Sequence, residues 1–227
     1  MSVEQVALTF NGFPAAAFDF YARLEADNSK VFWQANRPTY LSEVQASFDA
    51  LADEMPDYGP FHLFRPYNDA RFAKGRPAYK THQGMYVERD GGAGFYVQLS
   101  ATGLMIGAGY HHMAADQLDR FRQAVDDEHR GAEIAAIVDA TMAAGFTMSA
   151  IASLKTAPRG YAKDHPRIEL LRRKGLIAVK SFPVESWMHS PAAKDQIVAE
   201  WQACDALNDY LDAHVGPSEL PPPDFDR

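Results

Sequence analysis

The chain has 227 residues, with 22 Lys and Arg against 30 Asp and Glu, and 47% of it is apolar, enough for a buried core without disulfides or a structural metal. The net charge of −8 argues against a sequence-independent grip on nucleic acid, and the single Cys204 excludes an internal disulfide and fits a reducing, cytoplasmic setting. No run approaches the roughly 18 apolar residues of a membrane span, and the N-terminus lacks a basic region followed by a long apolar stretch, so neither membrane insertion nor secretion is expected.

Phe13 to Asp27 reads as the first helix: Pro14 suits a first-turn position, and Phe13, Ala17, Phe20, Tyr21 and Leu24 recur at helical spacing. Asn28 or Ser29 then caps a short helix carrying Val31, Phe32 and Trp33, expected to stop near Asn36 because Pro38 disfavours helix in the residue before it. A third helix carries Tyr40, Leu41, Val44, Phe48 and Leu51, until Met55-Pro56 and Gly59-Pro60 break the pattern. Phe61 to Tyr67 alternates as a short strand limited by Pro66, and Asn68 to Arg76 holds too many turn formers for a regular element. Met85–Glu88, Phe95–Leu99 and Leu104–Tyr110, separated by the turns Gly91–Gly94 and Thr102-Gly103, predict an antiparallel meander.

Helices follow over Ala114–Asp127 and His129–Ala144, stopped by Gly145, then a strand over Phe146–Ser149. A helix entered at His165-Pro166 ends at Gly175, with Asp164 read as its cap or, alternatively, as the group that orients His165. Leu176 to Phe182 alternates as a strand, and Ser190-Pro191 opens one long last helix through Ile197, Trp201, Cys204, Leu207 and Leu211. Strands in a meander between helical runs predict an α+β fold: a single domain over residues 1–215 with a largely antiparallel sheet packed with helices. A proline-rich acidic tail, 216–227, is expected to be disordered or laid along the surface.

Positive charge gathers in two stretches of this acidic chain. His62 to His82 holds Arg65, Arg71, Lys74, Arg76 and Lys80 against the single acid Asp69, and Lys155 to Lys174 holds seven Lys and Arg against Asp164 and Glu169. Guanidinium forks match carboxylate or phosphate, and lysine supplies a mobile point charge, so mixed use suits a small anion. Phe72 and Tyr79 are expected to anchor the first stretch in the core. His111 and His112 lie at a strand end, where neighbours point to opposite faces, so no metal is expected there. No Walker or dinucleotide fingerprint is present and Cys204 sits at an apolar helical position, so neither a nucleotide cofactor nor a thiol nucleophile is indicated.

NDARFAKGRPAYKTH, the strand end GAGYHH, the later LKTAPRGYAKDHPRIELLRRKGL and the opening FNGFPAAAFDFYARLEADNSKVFWQANRPTY resemble the conserved blocks of the domain-of-unknown-function 2461 (DUF2461) family. The resemblance covers nearly the whole chain. It departs at Ser29, where the family usually has a second asparagine, and at Gly75 and Arg76, where it usually shows an aspartate and a lysine. The resemblance implies one compact α+β domain and brings no reaction with it.

The residues therefore predict that both stretches line one site for a small phosphate- or carboxylate-bearing ligand, bound by Arg65, Arg71, Lys74, Lys80, Arg159 and Tyr161. Whether a reaction follows is left open; if one does, His111 or His165 is the acid or base and the guanidinium groups stabilise negative charge. The alternative is a non-catalytic module that holds an acidic protein segment or a nucleic-acid end.

Overall fold

The computed structural model describes residues 9–68 and 77–221. The fold is α+β, the class expected from the sequence, with a six-stranded antiparallel sheet in the order β1-β2-β3-β4-β6-β5. Its strands are β1 His62–Leu63, β2 His82–Glu88, β3 Gly94–Ser100, β4 Gly103–Tyr110, β5 Thr147–Ser149 and β6 Leu176–Pro183. The helices are α1 Ala15–Ala26, α2 Lys30–Thr39, α3 Ala46–Asp53, α4 Ala115–Asp126, α5 Glu128–Ala143, α6 Ile168–Leu171, α7 Ala192–Gln202 and α8 Asp205–His214. Among the described residues, no helix is long and apolar enough to cross a membrane. Contacts within the chain gather into two compact units.

The first unit takes in residues 1–87, 96–106 and 181–200. The apolar repeat of α1 does what its spacing predicts: Ala17, Phe20, Tyr21 and Leu24 are buried, and Phe13, just before the helix, packs on Phe48 at a ring separation of 5.1 Å. Each of the larger apolar side chains among them contributes about 1.5–3 kcal/mol by leaving water. Ser29 caps α2 by accepting from the Phe32 amide at 3.1 Å, and Asp27 accepts from the Ser29 amide at 3.1 Å.

The expected stop near Asn36 does not occur. Pro38 lies inside α2, and the chain passes through it into a π-helical segment, Tyr40–Gln45, and on into α3. Proline removes one backbone donor, and the wide turn behind it absorbs the local misfit. Trp33 and Tyr40, buried on either side of the proline with rings 5.0 Å apart, hold the two segments together more strongly than the local preference separates them.

Strand β3 shows how the sheet divides its faces: Phe95, Val97 and Leu99 are buried, whereas Tyr96, Gln98 and Ser100 are half-buried. On β2 the alternation puts Gln83, Met85 and Val87 in the core and His82 and Tyr86 on the partly open face. Gly84 shares that open face and is buried beneath Tyr96, because a Cβ there would overlap the Tyr96 hydroxyl.

The second unit takes in residues 88–95, 107–180 and 201–227. The turn joining β2 to β3 is pinned to α8: Asp212 Oδ1 accepts from the Ala93 amide at 2.9 Å and its Oδ2 pairs with Arg89 at 3.0 Å. Asp127 caps α5 by accepting from the amides of His129 and Arg130 at 3.1 and 2.9 Å. The helix expected from His165-Pro166 shrinks to the single turn α6, with Arg167 at its N-terminal boundary, so Asp164 does not cap it. The long last helix expected after Pro191 is two, α7 and α8, broken at Ala203 and Cys204. The apolar repeat runs through that break, since Trp201, Cys204, Leu207 and Leu211 are all buried, and periodicity alone therefore cannot reveal it.

Residues 215–219 are tied to α4. Gly216 O accepts from Tyr110 Oη at 2.8 Å and Gln117 Nε2 at 2.9 Å, Pro217 O accepts from Arg120 at 2.7 Å, and Asp116 accepts from Ser218 Oγ and the Glu219 amide, both at 2.8 Å.

Candidate functional site

The first basic stretch forms a hairpin stem in the first unit. His62 and Leu63 pair with Tyr86 and Met85, the Phe64 amide donates to Gly84 O at 3.0 Å, the Lys80 amide to Pro66 O at 2.8 Å, and Asn68 to Ala78 O at 3.0 Å. This irregular ladder sets Arg65 across from the Lys80–His82 segment. Arg71, Lys74 and Phe72 fall between the two stem strands and lie outside the described residues.

The stem is held from below. Tyr79 is buried and stacks on Trp33 with ring centroids 4.5 Å apart and planes 12° apart, so its expected anchoring role is what the structure shows. Asn28 clips the same residue through both of its backbone groups: Oδ1 accepts from the Tyr79 amide at 3.0 Å and Nδ2 donates to the Tyr79 carbonyl at 3.1 Å. Gln83 ties the other end, donating to Phe64 O at 2.7 Å and accepting from Tyr40 Oη, also at 2.7 Å. Burial raises the Tyr40 hydroxyl to about 12, so it stays a donor at neutral pH.

Above this support sit cations and aromatic rings. Lys80 Nζ lies 5.0 Å from the centre of the Phe64 ring. Burial and the neighbouring Arg65 both push the Lys80 ammonium toward its neutral form, and burial and Lys80 do the same to His82. Among the described residues no carboxylate forms an ion pair with Lys80. Arg65 and His82 are thus the titratable neighbours whose charge Lys80 feels or opposes.

The second stretch, in the second unit, is arranged differently. Arg167 lays its guanidinium on the C-terminal end of α4, donating to the carbonyls of Val125, Asp126 and Asp127 at 2.7, 3.3 and 3.1 Å, where the negative end of the helix dipole favours a cation. His165 Nδ1 accepts from the Arg167 amide at 3.0 Å, which leaves the ring hydrogen on Nε2, facing Asp126 Oδ1 at 3.3 Å. The acid that meets His165 is thus Asp126 of α4 and not its sequence neighbour Asp164. Burial, with Asp126 and Asp119 nearby, raises the Tyr161 hydroxyl, so Tyr161 and His165 share one acidic neighbour. Arg172 pairs with Glu169 at 2.7 Å. Arg159 and His111 are exposed, Arg159 in the turn before Tyr161 and His111 just beyond β4.

A separate open cleft of about 370 Å3 in the first unit is lined by Asn11, Ser42, Ser47 and His189 among others, with no lysine or arginine, which makes it a poor counterpart for an anion.

A family model described as "Conserved hypothetical protein (DUF2461)" matches residues 16–210. The chain belongs to the DUF2461 family. No curated protein and no solved structure matches it. In this DUF2461 protein, sequence reasoning missed the part played by Asn28, which the pattern offered only as a possible helix cap, and by His62, Phe64, Tyr86 and Tyr96, whose rings gather on the open sheet face beside Lys80. The alternation of β2 and β3 was the one signal that could have found Tyr86 and Tyr96.

Proposed function

We propose that this DUF2461 protein binds a small phosphate- or carboxylate-bearing ligand on the β1–β2 hairpin, with Lys80 and Arg65 as the charged contacts and His82 beside them. Arg71 and Lys74 belong to the same stretch of sequence and are proposed to join them. The observation that carries the reading is Lys80, which among the described residues forms no ion pair with a carboxylate and whose ammonium burial and Arg65 push toward its neutral form, as burial and Lys80 do for His82. An anion at this place relieves both repulsions, and it gains from a partly desolvated setting in which hydrogen bonds to ammonium and guanidinium are strong. Pairing of the stem strands and the Asn28 clip support the same reading, because cations held on a fixed ladder lose little freedom on binding.

The test is a thermal-shift and calorimetric titration with sulfate, phosphate, pyrophosphate and a tricarboxylate, on the wild type and on Lys80→Gln. A ligand at a hundred times its Kd stabilises the fold by about 2.7 kcal/mol, which in a chain of this size is a rise of about 5–10 °C in Tm. The rise is expected in the wild type and lost in Lys80→Gln. No rise with any of the four anions, or a rise that Lys80→Gln keeps in full, overturns the proposal.

A further inference from the structure

We infer that the ligand of this site carries an aromatic ring close to its anionic group, as in an aryl phosphate or a nucleoside monophosphate; the inference rests on the anion-binding reading above and narrows its substrate class.

The cations do not stand on bare backbone. They border a run of rings on the open face of β1, β2 and β3: His62 and Tyr86 lie 5.1 Å apart, Phe64 and Tyr86 5.2 Å, His62 and Phe64 5.6 Å, and Phe64 and Tyr96 6.2 Å. Phe64 and Tyr86 are tilted by only 31°, while His62 and Tyr96 meet Phe64 at 85° and 66°. Phe64 and Tyr86 are the least steeply tilted pair of the run, and His62 and Tyr96 stand at its sides. The surface is open at Phe64, which is 36% exposed, and at His62, which is exposed.

An anion alone has no use for this surface. A phosphate or sulfate that meets Lys80 leaves the exposed rings of His62 and Phe64 in water, and contiguous exposed apolar surface ordinarily marks a contact site. A planar ring satisfies both features, because stacking and cation attraction act on the same π-face. Lys80 fixes the geometry. Its ammonium is 5.0 Å from the Phe64 ring centre, so a ring stacked on Phe64 or Tyr86 has its phosphate within reach when the two are joined by a few bonds. Gly84 keeps the floor low, since any larger residue there would displace Tyr96.

The experiment compares phenyl phosphate and adenosine 5′-monophosphate with ribose 5-phosphate and inorganic phosphate, by calorimetry and by ring-current shifts of the ligand protons in NMR. Stacking on one aromatic side chain is expected to make the two aromatic ligands bind about ten-fold more tightly than the two that lack a ring. Phe64→Leu, with Tyr86→Leu as a second variant, is expected to remove that preference, weakening the two aromatic ligands more than inorganic phosphate, which still meets Lys80. Lys80→Gln is expected to weaken all four ligands. Equal affinity for adenosine 5′-monophosphate and ribose 5-phosphate, or an equal loss for all four ligands in Phe64→Leu, overturns the inference while the anion site stands. Absence of binding by all four overturns both.

Discussion

Replacing Asn28 by alanine separates the support of the hairpin from its chemistry. The substitution removes two hydrogen bonds, at 3.0 and 3.1 Å, to the amide and carbonyl of Tyr79, while Ser29 continues to cap α2 and Trp33 continues to stack on the Tyr79 ring. At a net 0.5–1.5 kcal/mol each, the two bonds sum to about 1–3 kcal/mol. The cost falls first on local opening of the stem, because this irregular ladder is shorter than the β2–β3 pairing beside it. Amide exchange at Tyr79 and Lys80 is therefore expected to accelerate about five- to hundred-fold, with a smaller fall in the urea midpoint. Anion affinity is expected to change by less than about two-fold, since a closed state that still dominates the population leaves apparent affinity nearly intact. Lys80→Gln is expected to do the reverse, losing affinity without faster exchange at Tyr79. Unchanged exchange at Tyr79 in Asn28→Ala, or equal effects of the two variants on both measurements, refutes the division between support and site.

Other predictions concern charge. Burial and Lys80 lower His82, so its imidazole is neutral above the usual histidine range and the unfolded chain binds more protons as pH falls through 6.5; stability is expected to fall below pH 6.5 and level off once the folded histidine is also charged. A bound anion raises His82, so sulfate, which does not titrate in this range, is expected to bind more tightly at pH 5.5 than at pH 8, and His82→Gln to flatten that dependence. Arg167→Ala leaves three carbonyls at the end of α4 without their charged donor and is expected to cost about 1.5–3 kcal/mol in urea denaturation, with Arg167→Lys a partial rescue because one ammonium cannot span all three. Asp116 is held down to about 2 by the Glu219 amide, Ser218 and Arg120. Its grip on residues 218–219 is complete above about 3.8, the ordinary aspartate value, and is lost as pH falls toward 2, which exchange at the Glu219 amide can follow.

Much of the fold was legible because its elements obey one period at a time. The alternation in Phe95–Leu99 and Leu104–Tyr110 and the helical spacing in Phe13–Leu24 mark faces that the structure buries. The errors arise where a long-range contact overrules a local rule. Pro38 should stop a helix, yet the Trp33–Tyr40 packing carries the helix past it. Cys204 continues an apolar repeat while the backbone breaks. The candidate site was half legible: Arg65, Lys80 and the anchor Tyr79 came from composition, whereas Asn28 binds a residue fifty-one positions away and carries no spacing signal.

The two basic stretches look equivalent as sequence, and their side chains show why they are not. In the second, Arg167 is committed to helix carbonyls, Arg172 to Glu169, and His165 lies between a backbone amide and Asp126, so these three side chains already have partners within the second unit. Charge density along a chain records how many cations are near one another in sequence, and a helix C-terminus consumes cations as readily as a ligand does. Anion binding asks instead that cations face each other with neither a carboxylate nor a carbonyl interposed, and then each one weakens its neighbour's charge. Lys80, which burial and Arg65 depress and which forms no ion pair with a carboxylate among the described residues, is the cation on which the proposal rests.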